Sequence, residues 1–332
     1  MPLDEVPLGS WLAALRGEPS EGPWAEPGSD RVLAVDLDAH DGTEPLPALH
    51  AGWPVVVLGL TARPEPERHA AADVCDLALR VGDQAVDAVV TTVAAQPIAS
   101  AAFAALLRGA GARPIDAGLV AESATYSTLQ AGPEFAAWRA ARPSRTRTDD
   151  GPPVAVRRDG DELEVVLTRP EVRNALNRAM RDALVDAFRL VRADPSIRRA
   201  HLRGAGPSFC AGGDLDEFGS FPDPATAHLV RLQQSAGRAI AAVADRVTVH
   251  LHGACCGSGI ELPAFAAEVL ADPSTVIALP EISLGLVPGA GGTVSLPRRI
   301  GRQRTAWLGL TGTSIDAATA LDWGLVDRIQ PA

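Results

Sequence analysis

The sequence predicts an α/β fold, in which strands and helices alternate along the chain. Short apolar runs of strand length recur between residues 31 and 279. Ala-rich or amphipathic stretches of helical length separate many of these runs. The chain has 332 residues, of which 46% are hydrophobic, so it can bury a sizeable core as two domains or one large one.

The N-terminal part is predicted to be an α/β region that ends in helices. Residues 1–30 are rich in Pro, Gly and acidic residues and are predicted to be a flexible arm. Three apolar runs are predicted to be buried strands: residues 31–37, 54–60 and 75–81. Residues 84–109 and 117–142 are predicted to be helical, and Pro97 divides the first stretch into two helices.

A segment without apolar periodicity, residues 144–153, is predicted to link this region (31–143) to a second one (154–332). The second region begins with a predicted hairpin that turns at Asp159-Gly160. Its further predicted elements are helix 175–194, strand 198–206, helix 224–244, strand 247–253, a helix after the Gly-rich turn at 253–259, and a strand at 275–279.

Charge and composition exclude several classes of protein. The formal net charge is −11 with no lysine, which argues against non-specific nucleic-acid binding. No apolar run approaches the roughly 20 residues of a membrane span, and the first residues do not resemble a signal peptide. Four cysteines, two of them adjacent, are too few for a disulfide framework in a chain of this length. We therefore expect reduced thiols and a cytoplasmic protein that binds neither membranes nor nucleic acid.

Two loops of small residues could expose backbone N–H groups to a ligand. Residues 204–215 follow a predicted strand, and the alternative is a tight turn without a ligand. Cys210 in this loop is either a nucleophile or a packed thiol, and no nearby His or cation supports the former. Residues 253–262 lead from a strand into a helix whose N-terminus could bind an oxyanion.

Two glutamates accompany these loops. Glu261 lies one helical turn after Ser258, and its alternative role is to interact with the helix dipole. Glu281 stands alone between apolar residues, and a salt bridge or helix cap is its alternative role. His250 and His252 could ligate a metal, but no third ligand is evident, so structural histidines and no metal are predicted. Two carboxylates beside exposed amides are what acid–base chemistry next to a polarised carbonyl needs.

Residues 154–330 resemble the core of the crotonase (enoyl-CoA hydratase/isomerase) superfamily. The blocks that carry the resemblance are TRPEVRNAL (168–176), FCAGGDL (209–215), GSGIEL (257–262), LPEISLGLVPGAGGT (279–293), LPRRIGR (296–302) and LTGTSIDAATALDWGLVDRI (310–329). The resemblance implies a spiral of ββα turns, an acyl-CoA thioester as substrate, no further cofactor, and assembly as a homotrimer or a dimer of trimers.

The resemblance also implies site residues. The oxyanion donors are the N–H groups of Gly213 and Ser258, although the family usually has glycine at the serine. Glu261 and Glu281 match the two carboxylates of hydratases, which implies hydration of a 2-enoyl-CoA in fatty acid metabolism. The residues matched to CoA and substrate binding are Arg173 (for a phosphate), Asn174, Ala175, Leu176, Ala211, Asp214, Leu215 and Gly257. Another crotonase-type reaction (isomerisation, thioester hydrolysis or cofactor-free oxygenation) and a non-catalytic acyl-CoA-binding partner are the alternatives.

One departure from the family concerns the order of the chain. Family members normally continue beyond the position of Ala332 with helices that complete the CoA pocket and the trimer. Residues 85–143 resemble those helices, ending in EFAAWRAARP (134–143). We therefore expect residues 31–143 to be a degenerate crotonase-like unit whose helices complete the core, with Arg139 or Arg142 near a CoA phosphate. The alternative is an unrelated α/β domain.

Overall fold

The computed structural model describes residues 5–6, 10–11, 32–40, 46, 49, 52–142, 145 and 151–331. Most of the predicted flexible arm and of the predicted linker lies outside these residues. Within the arm, residues 5–6 form a short strand, and Trp11 is fully buried with its ring edge-to-face on Trp53, 5.2 Å between centroids. This described part of the arm therefore packs on the N-terminal region.

Eight of the strands follow predicted elements, whereas the short strands at residues 5–6, 254–256, 268–271, 315–316 and 328–329 were not predicted. The strands are β1 (Glu5–Val6), β2 (Val32–Asp36), β3 (Val56–Thr61), β4 (Leu77–Arg80), β5 (Val154–Asp159), β6 (Glu162–Leu167), β7 (Arg199–Gly204), β8 (Val247–Leu251), β9 (Ala254–Cys256), β10 (Glu268–Ala271), β11 (Val276–Ala278), β12 (Ile315–Asp316) and β13 (Arg328–Ile329). In β6 every second residue is buried, as expected for a strand with one face on the core.

Three sheets organise these strands. The N-terminal sheet is parallel with the order β1-β2-β3-β4. The large C-terminal sheet has the order β13-β10-β8-β7-β6-β5, parallel except for the β5–β6 hairpin. That hairpin turns at residues 160–161, one residue later than predicted. A small sheet, β12-β11-β9, takes the next strand after β8 and after β10, which produces the spiral of strand–strand–helix turns.

The helices are more divided than the sequence predicted. They are α1 (Gln84–Ala95), α2 (Pro97–Arg108), α3 (Ile115–Gln130), α4 (Pro133–Ala141), α5 (Arg178–Ala193), α6 (Pro224–Gln233), α7 (Ala236–Ala241), α8 (Ser258–Glu261), α9 (Gly292–Thr311) and α10 (Ala317–Trp323).

Helix boundaries explain the differences. The break before Pro97 is as predicted, and the two helices meet at a bend of 115°. The stretch 117–142 is wrong as one helix, because Pro133 begins a new one after the turn at Gly132. The stretch 224–244 is also divided, since the Ser235 side chain caps a second helix. Helix α5 begins at Arg178, not at residue 175, because Asn177 is its N-cap.

None of the described helices is by itself long and apolar enough to cross a bilayer. Helices α1 and α2 meet the criteria of length and composition only as a bent pair.

The N-terminal helices pack on the C-terminal core, around α9. The fully buried ring of Phe103 in α2 lies against Gly309 of α9, where an added Cβ would be 2.4 Å from the ring. Gly118 of α3 also packs tightly on α9, because a Cβ added there would be 2.9 Å from the Val294 side chain. Close packing of this kind is sensitive to single methyl groups. One hydrophobic core accordingly includes residues of both regions.

Candidate functional site

A cavity of about 180 Å³ lies where the two regions meet. Its walls are α3 from the N-terminal region and, from the core, the start of α5, α6, α8 and the loops after β7 and β11. The four predicted catalytic residues, Gly213, Ser258, Glu261 and Glu281, all line it. The structure thus brings together groups that are up to 68 residues apart in sequence.

Two backbone amides are available in this cavity. The loop at Gly213 is held by hydrogen bonds on either side, from Leu176 N to Gly212 O (2.8 Å) and from Asp214 N to Leu176 O (2.9 Å). The N–H of Gly213 has no acceptor among the described residues. Ser258 is the first residue of α8, so its N–H has no intrahelical acceptor, and none exists elsewhere in the described chain. Paired donors of this kind suit an oxyanion.

Small residues keep this site open. The Ser258 Oγ lies 3.8 Å from Cys210 Sγ, so the extra side chain is accommodated against the core. At Gly213 an added Cβ would be 2.6 Å from the Phe218 ring. Burial raises the pKa of Cys210 to about 11, which favours a packed thiol over a nucleophile.

Glu261 is fixed by the start of α9. It is 2% exposed, and its Oε2 accepts hydrogen bonds from Ala290 N (2.7 Å) and Gly292 N (2.9 Å). Burial raises its pKa to about 7, although the two amides lower it. A carboxyl with a pKa near neutrality can both accept and release a proton.

Glu281 is buried without a partner for one oxygen. It follows β11, is 8% exposed, and its Oε2 has no hydrogen bond to the described residues. Its Oε1 lies beside Gly257, where an added Cβ would be only 2.2 Å away and φ is +48°. Burial and the charge of Glu261 raise the pKa of Glu281 well above its usual range. A neutral Glu281 is therefore suited to donate a proton.

A third glutamate, which the sequence analysis missed, comes from the N-terminal region. Glu122 of α3 is 2% exposed and lines the same cavity. Its Oε1 accepts from Gly291 N (2.7 Å), and its Oε2 accepts from Thr293 N (2.9 Å) and Thr293 Oγ1 (2.7 Å). Burial and the charge of Glu261 raise its pKa to about 8, opposed by these donors. Nothing in the sequence around Glu122 indicated that its carboxylate binds residues 291–293.

The predicted binding residues are only partly in this cavity. Leu176 and Asp214 line it, and Asp214 is held by a salt bridge to Arg169 at 3.0 Å. Arg173 is exposed, and the buried side chain of Asn174 supports the loop through bonds to residues 169, 205 and 208. The remaining predicted residues, which do not line the cavity, are Ala175, Ala211, Leu215 and Gly257.

Histidines and the predicted arginine contacts lie elsewhere. His250 Nε2 is 3.2 Å from His201 Nδ1, and His252 Nε2 is 3.0 Å from Gly206 O. In the part of the chain that the structure describes, no three His, Cys, Asp or Glu side chains are grouped to hold a metal ion. Arg139 donates to Leu215 O at 2.9 Å. This bond ties α4 to the loop that follows the Gly213 amide.

Comparison with known proteins gives a consistent result. Residues 162–332 match the family described as enoyl-CoA hydratase/isomerase. Enoyl-CoA isomerase/hydratase fer4 of Mycosarcoma maydis is 33% identical over 177 residues, covering 50% of this chain and 64% of that protein. The 2,3-dehydroadipyl-CoA hydratase of Escherichia coli (strain K12) is 35% identical over 170 residues, covering 51% of this chain and 66% of that one. This chain therefore spans just under two thirds of the length of these relatives.

A solved structure agrees. The crystal structure of enoyl-CoA hydratase from Thermoplasma volcanium GSS1 has a TM-score of 0.51 and 36% identity, covering 55% of this chain and 73% of that one. The predicted resemblance and fold class are confirmed. Residues 1–161, which include Glu122, lie outside the family match.

Proposed function

Because the chain belongs to the enoyl-CoA hydratase/isomerase family, we propose that its cavity binds a 2-enoyl-CoA thioester and adds water across the α,β double bond. One observation carries the proposal. Two free amides, of Gly213 and Ser258, share a cavity with two buried carboxyls of raised pKa, Glu261 and Glu281. Hydration of a conjugated thioester needs such an oxyanion site together with a base and an acid.

Each group has one role in the proposed reaction. The thioester oxygen accepts hydrogen bonds from the amides of Gly213 and Ser258. Ionised Glu261 takes a proton from water as the water oxygen bonds to the β-carbon, and the electron pair moves to the thioester oxygen. Protonated Glu281 then transfers its proton to the α-carbon as the carbonyl re-forms. One water is added, and a proton returns from Glu261 to Glu281 or through solvent before the next cycle.

Glu122 has a supporting role in this scheme. Its bonds to residues 291 and 293 alternate with those of Glu261 to residues 290 and 292. It is therefore a positioning residue for the segment that orients Glu261. Helix α3 supplies it, which supports the proposal that the N-terminal helices complete the core.

The remaining features of the proposal concern CoA and assembly. Arg173 and the backbone of residues 174–176, 211 and 214–215 bind the CoA part of the substrate, and no other cofactor takes part. Assembly is a homotrimer or a dimer of trimers, which light scattering tests directly.

A substrate panel tests the reaction. The purified protein is mixed with 2-enoyl-CoA and 3-enoyl-CoA thioesters of several chain types, while absorbance and product mass are followed. Loss of the conjugated-thioester band with a mass gain of one water supports hydration. Appearance of that band from a 3-enoyl-CoA, free-thiol release or oxygen uptake would instead identify an isomerase, a thioesterase or an oxygenase. Tight binding of thioesters without any product would identify a binding protein.

A further inference from the structure

One wall of the cavity carries a cation that has no ion-pair partner among the described residues. Arg231 of α6 lines the cavity, and its Nε donates to Ser123 Oγ at 3.1 Å. Its Nη2 donates to Ser123 O at 3.3 Å and to Ser127 Oγ. These acceptors are all neutral, and no carboxylate among the described residues lies within ion-pair distance of Arg231. The guanidinium therefore keeps its full positive charge to offer a ligand.

Three other arginines line the cavity. Arg181 pairs with Asp182 at 2.6 Å and Arg238 with Asp116 at 2.7 Å. Arg178 has no ion pair to the described residues, but it is exposed and stacks over the Phe221 ring at 4.2 Å from the centroid. Glu122, an acid whose charge acts on Arg231, accepts hydrogen bonds from backbone amides instead. Burial lowers the pKa of Arg231, which reflects the cost of holding this charge away from water.

One other polar group beside Arg231 has no partner among the described residues. Gln234, about one helical turn further on, lines the cavity, and its buried Oε1 has no hydrogen bond to the described residues. Rotating the side-chain amide by 180° would present its NH₂ group to an anion. A buried polar atom without a partner needs an explanation, and a ligand that binds beside it provides one.

Tyr126 connects this polar wall to the catalytic loop. Arg231 stacks over its ring at 4.7 Å from the centroid. The other side of the tyrosine packs on Gly289, where an added Cβ would be 2.6 Å from the ring. The next residue, Ala290, donates to Glu261. The Tyr126 ring thus lies between the Arg231 guanidinium and the loop that binds Glu261, inside the same cavity.

We propose that the acyl group of the substrate ends in a carboxylate that Arg231 binds. The substrate class is then an enoyl-CoA formed from a dicarboxylic acid, with CoA on one carboxyl group and the other free. This inference rests on the proposed function, because it assigns the far end of the acyl group in that site. Arginine suits this task, since Nη1 of Arg231 makes no hydrogen bond to the described residues and its two N–H groups remain for a carboxylate.

Binding of unreactive thioesters tests the proposal separately from catalysis. Titration calorimetry compares pairs of saturated acyl-CoAs with equal carbon number: succinyl with butyryl, glutaryl with valeryl, and adipoyl with hexanoyl. CoA alone is titrated as well, as the ligand without an acyl group. We expect at least one carboxylated member to bind about tenfold or more tightly than its partner, the size of one charge-assisted hydrogen bond. The preference should disappear in Arg231→Gln and be partly kept in Arg231→Lys.

Arg238→Gln is the matched control, because Arg238 lines the cavity but is already paired. It should keep the preference for the carboxylated thioester. Equal affinities within every pair for the wild-type protein would overturn the proposal, whatever the variants do. An equal loss of affinity for all thioesters and for CoA in Arg231→Gln would overturn it too, since Arg231 would then bind a CoA phosphate. If no thioester and no CoA binds at all, the proposed function itself fails.

Discussion

Glu122 and Glu261 accept hydrogen bonds from alternating amides of residues 290–293, although they belong to the two different regions of the chain. Each carboxylate therefore fixes the strip of backbone that the other one binds. The charge of Glu261 also raises the pKa of Glu122, next to the effect of burial. The position of Glu261 consequently depends on a helix outside the family match.

Glu122→Gln should lower turnover about 10²-fold, because a small displacement of Glu261 misaligns the attacking water. Glutamine has only one acceptor oxygen, so one of the donors at residues 291 and 293 loses its bond; the effect should appear in kcat and not in the affinity for a saturated acyl-CoA. Glu134→Gln is the control, since Glu134 also accepts from backbone amides (Ile98 and Ala99) but does not line the cavity. An unchanged kcat in Glu122→Gln would show that Glu122 does not position Glu261.

Glu261→Gln and Glu281→Gln should each lower turnover by about 10²–10⁴, the usual effect of losing a general acid or base. Both variants should keep their melting behaviour and their affinity for a saturated acyl-CoA, because the amide fills the same volume. Steady-state kinetics on the substrate found in the panel provides the measurement. Near-normal turnover in both would rule out the two-carboxylate mechanism.

Ser258→Pro should remove an oxyanion donor, and within the described structure it also removes the contact of Oγ with Cys210 Sγ, which Ser258→Ala removes equally. Proline is tolerated at the first position of a helix, and this N–H has no acceptor in the described structure. We expect turnover to fall about 10²–10³-fold. Ser258→Ala keeps the N–H and should stay within a few-fold of wild type. If the two folded variants have equal activity, the amide of Ser258 is not a donor in the reaction.

Stability should depend on pH through Glu261. Its pKa of about 7 in the folded protein lies above the ordinary value of 4.5, so the folded state holds its proton more tightly than the unfolded state. This contribution is complete below pH 4.5 and is lost as the pH rises through 7. The wild type should therefore lose about 3 kcal/mol relative to Glu261→Gln between those pH values. Urea unfolding of both proteins at pH 5 and 8 measures the difference, with exposed Glu171→Gln as the control.

A fragment of residues 151–332 should be inactive and prone to aggregate. It lacks Glu122, and it exposes the surface of α9 that buries Phe103 in the full chain. In the full chain, Phe103→Ala should lower the free energy of unfolding by about 3–5 kcal/mol. Light scattering and thermal melting compare the three proteins. A soluble, fully active fragment with unchanged oligomeric state would refute the proposal that the N-terminal helices complete the core.

Sequence reasoning located Gly213, Ser258, Glu261 and Glu281, and the structure places them in one cavity. The residues alone singled out the loops of small residues and the two glutamates, with alternatives left open, and the resemblance to the family supplied their roles. Glu122 could not be found this way, since its partners lie 169 and 171 residues further along the chain. The roles of the predicted residues in CoA binding remain predictions.

The element boundaries show the same limit. An apolar run predicted β3 well, because this strand is buried on both faces and such burial is visible in composition. The short strands β9, β10, β12 and β13 were missed, since they have only two to four residues each. The division of residues 117–142 was signalled by Gly132-Pro133, which the prediction did not use. The break between α6 and α7 has no such signal, and it depends on the cap that Ser235 provides.

Because the chain is made from its N-terminus, the long separation in sequence between Glu122 and its partners also affects folding during translation. A ribosome that adds about 5–20 residues per second needs roughly 10–30 seconds to pass from Glu122 to Gly291. Helix α3 is finished long before the segment that covers Leu119 and Tyr126 exists, although both are buried in the folded protein. The nascent chain therefore presents an apolar helix face to the cell for about half of its translation. Its yield will depend on the chaperones that shield this face until the last part of the chain emerges.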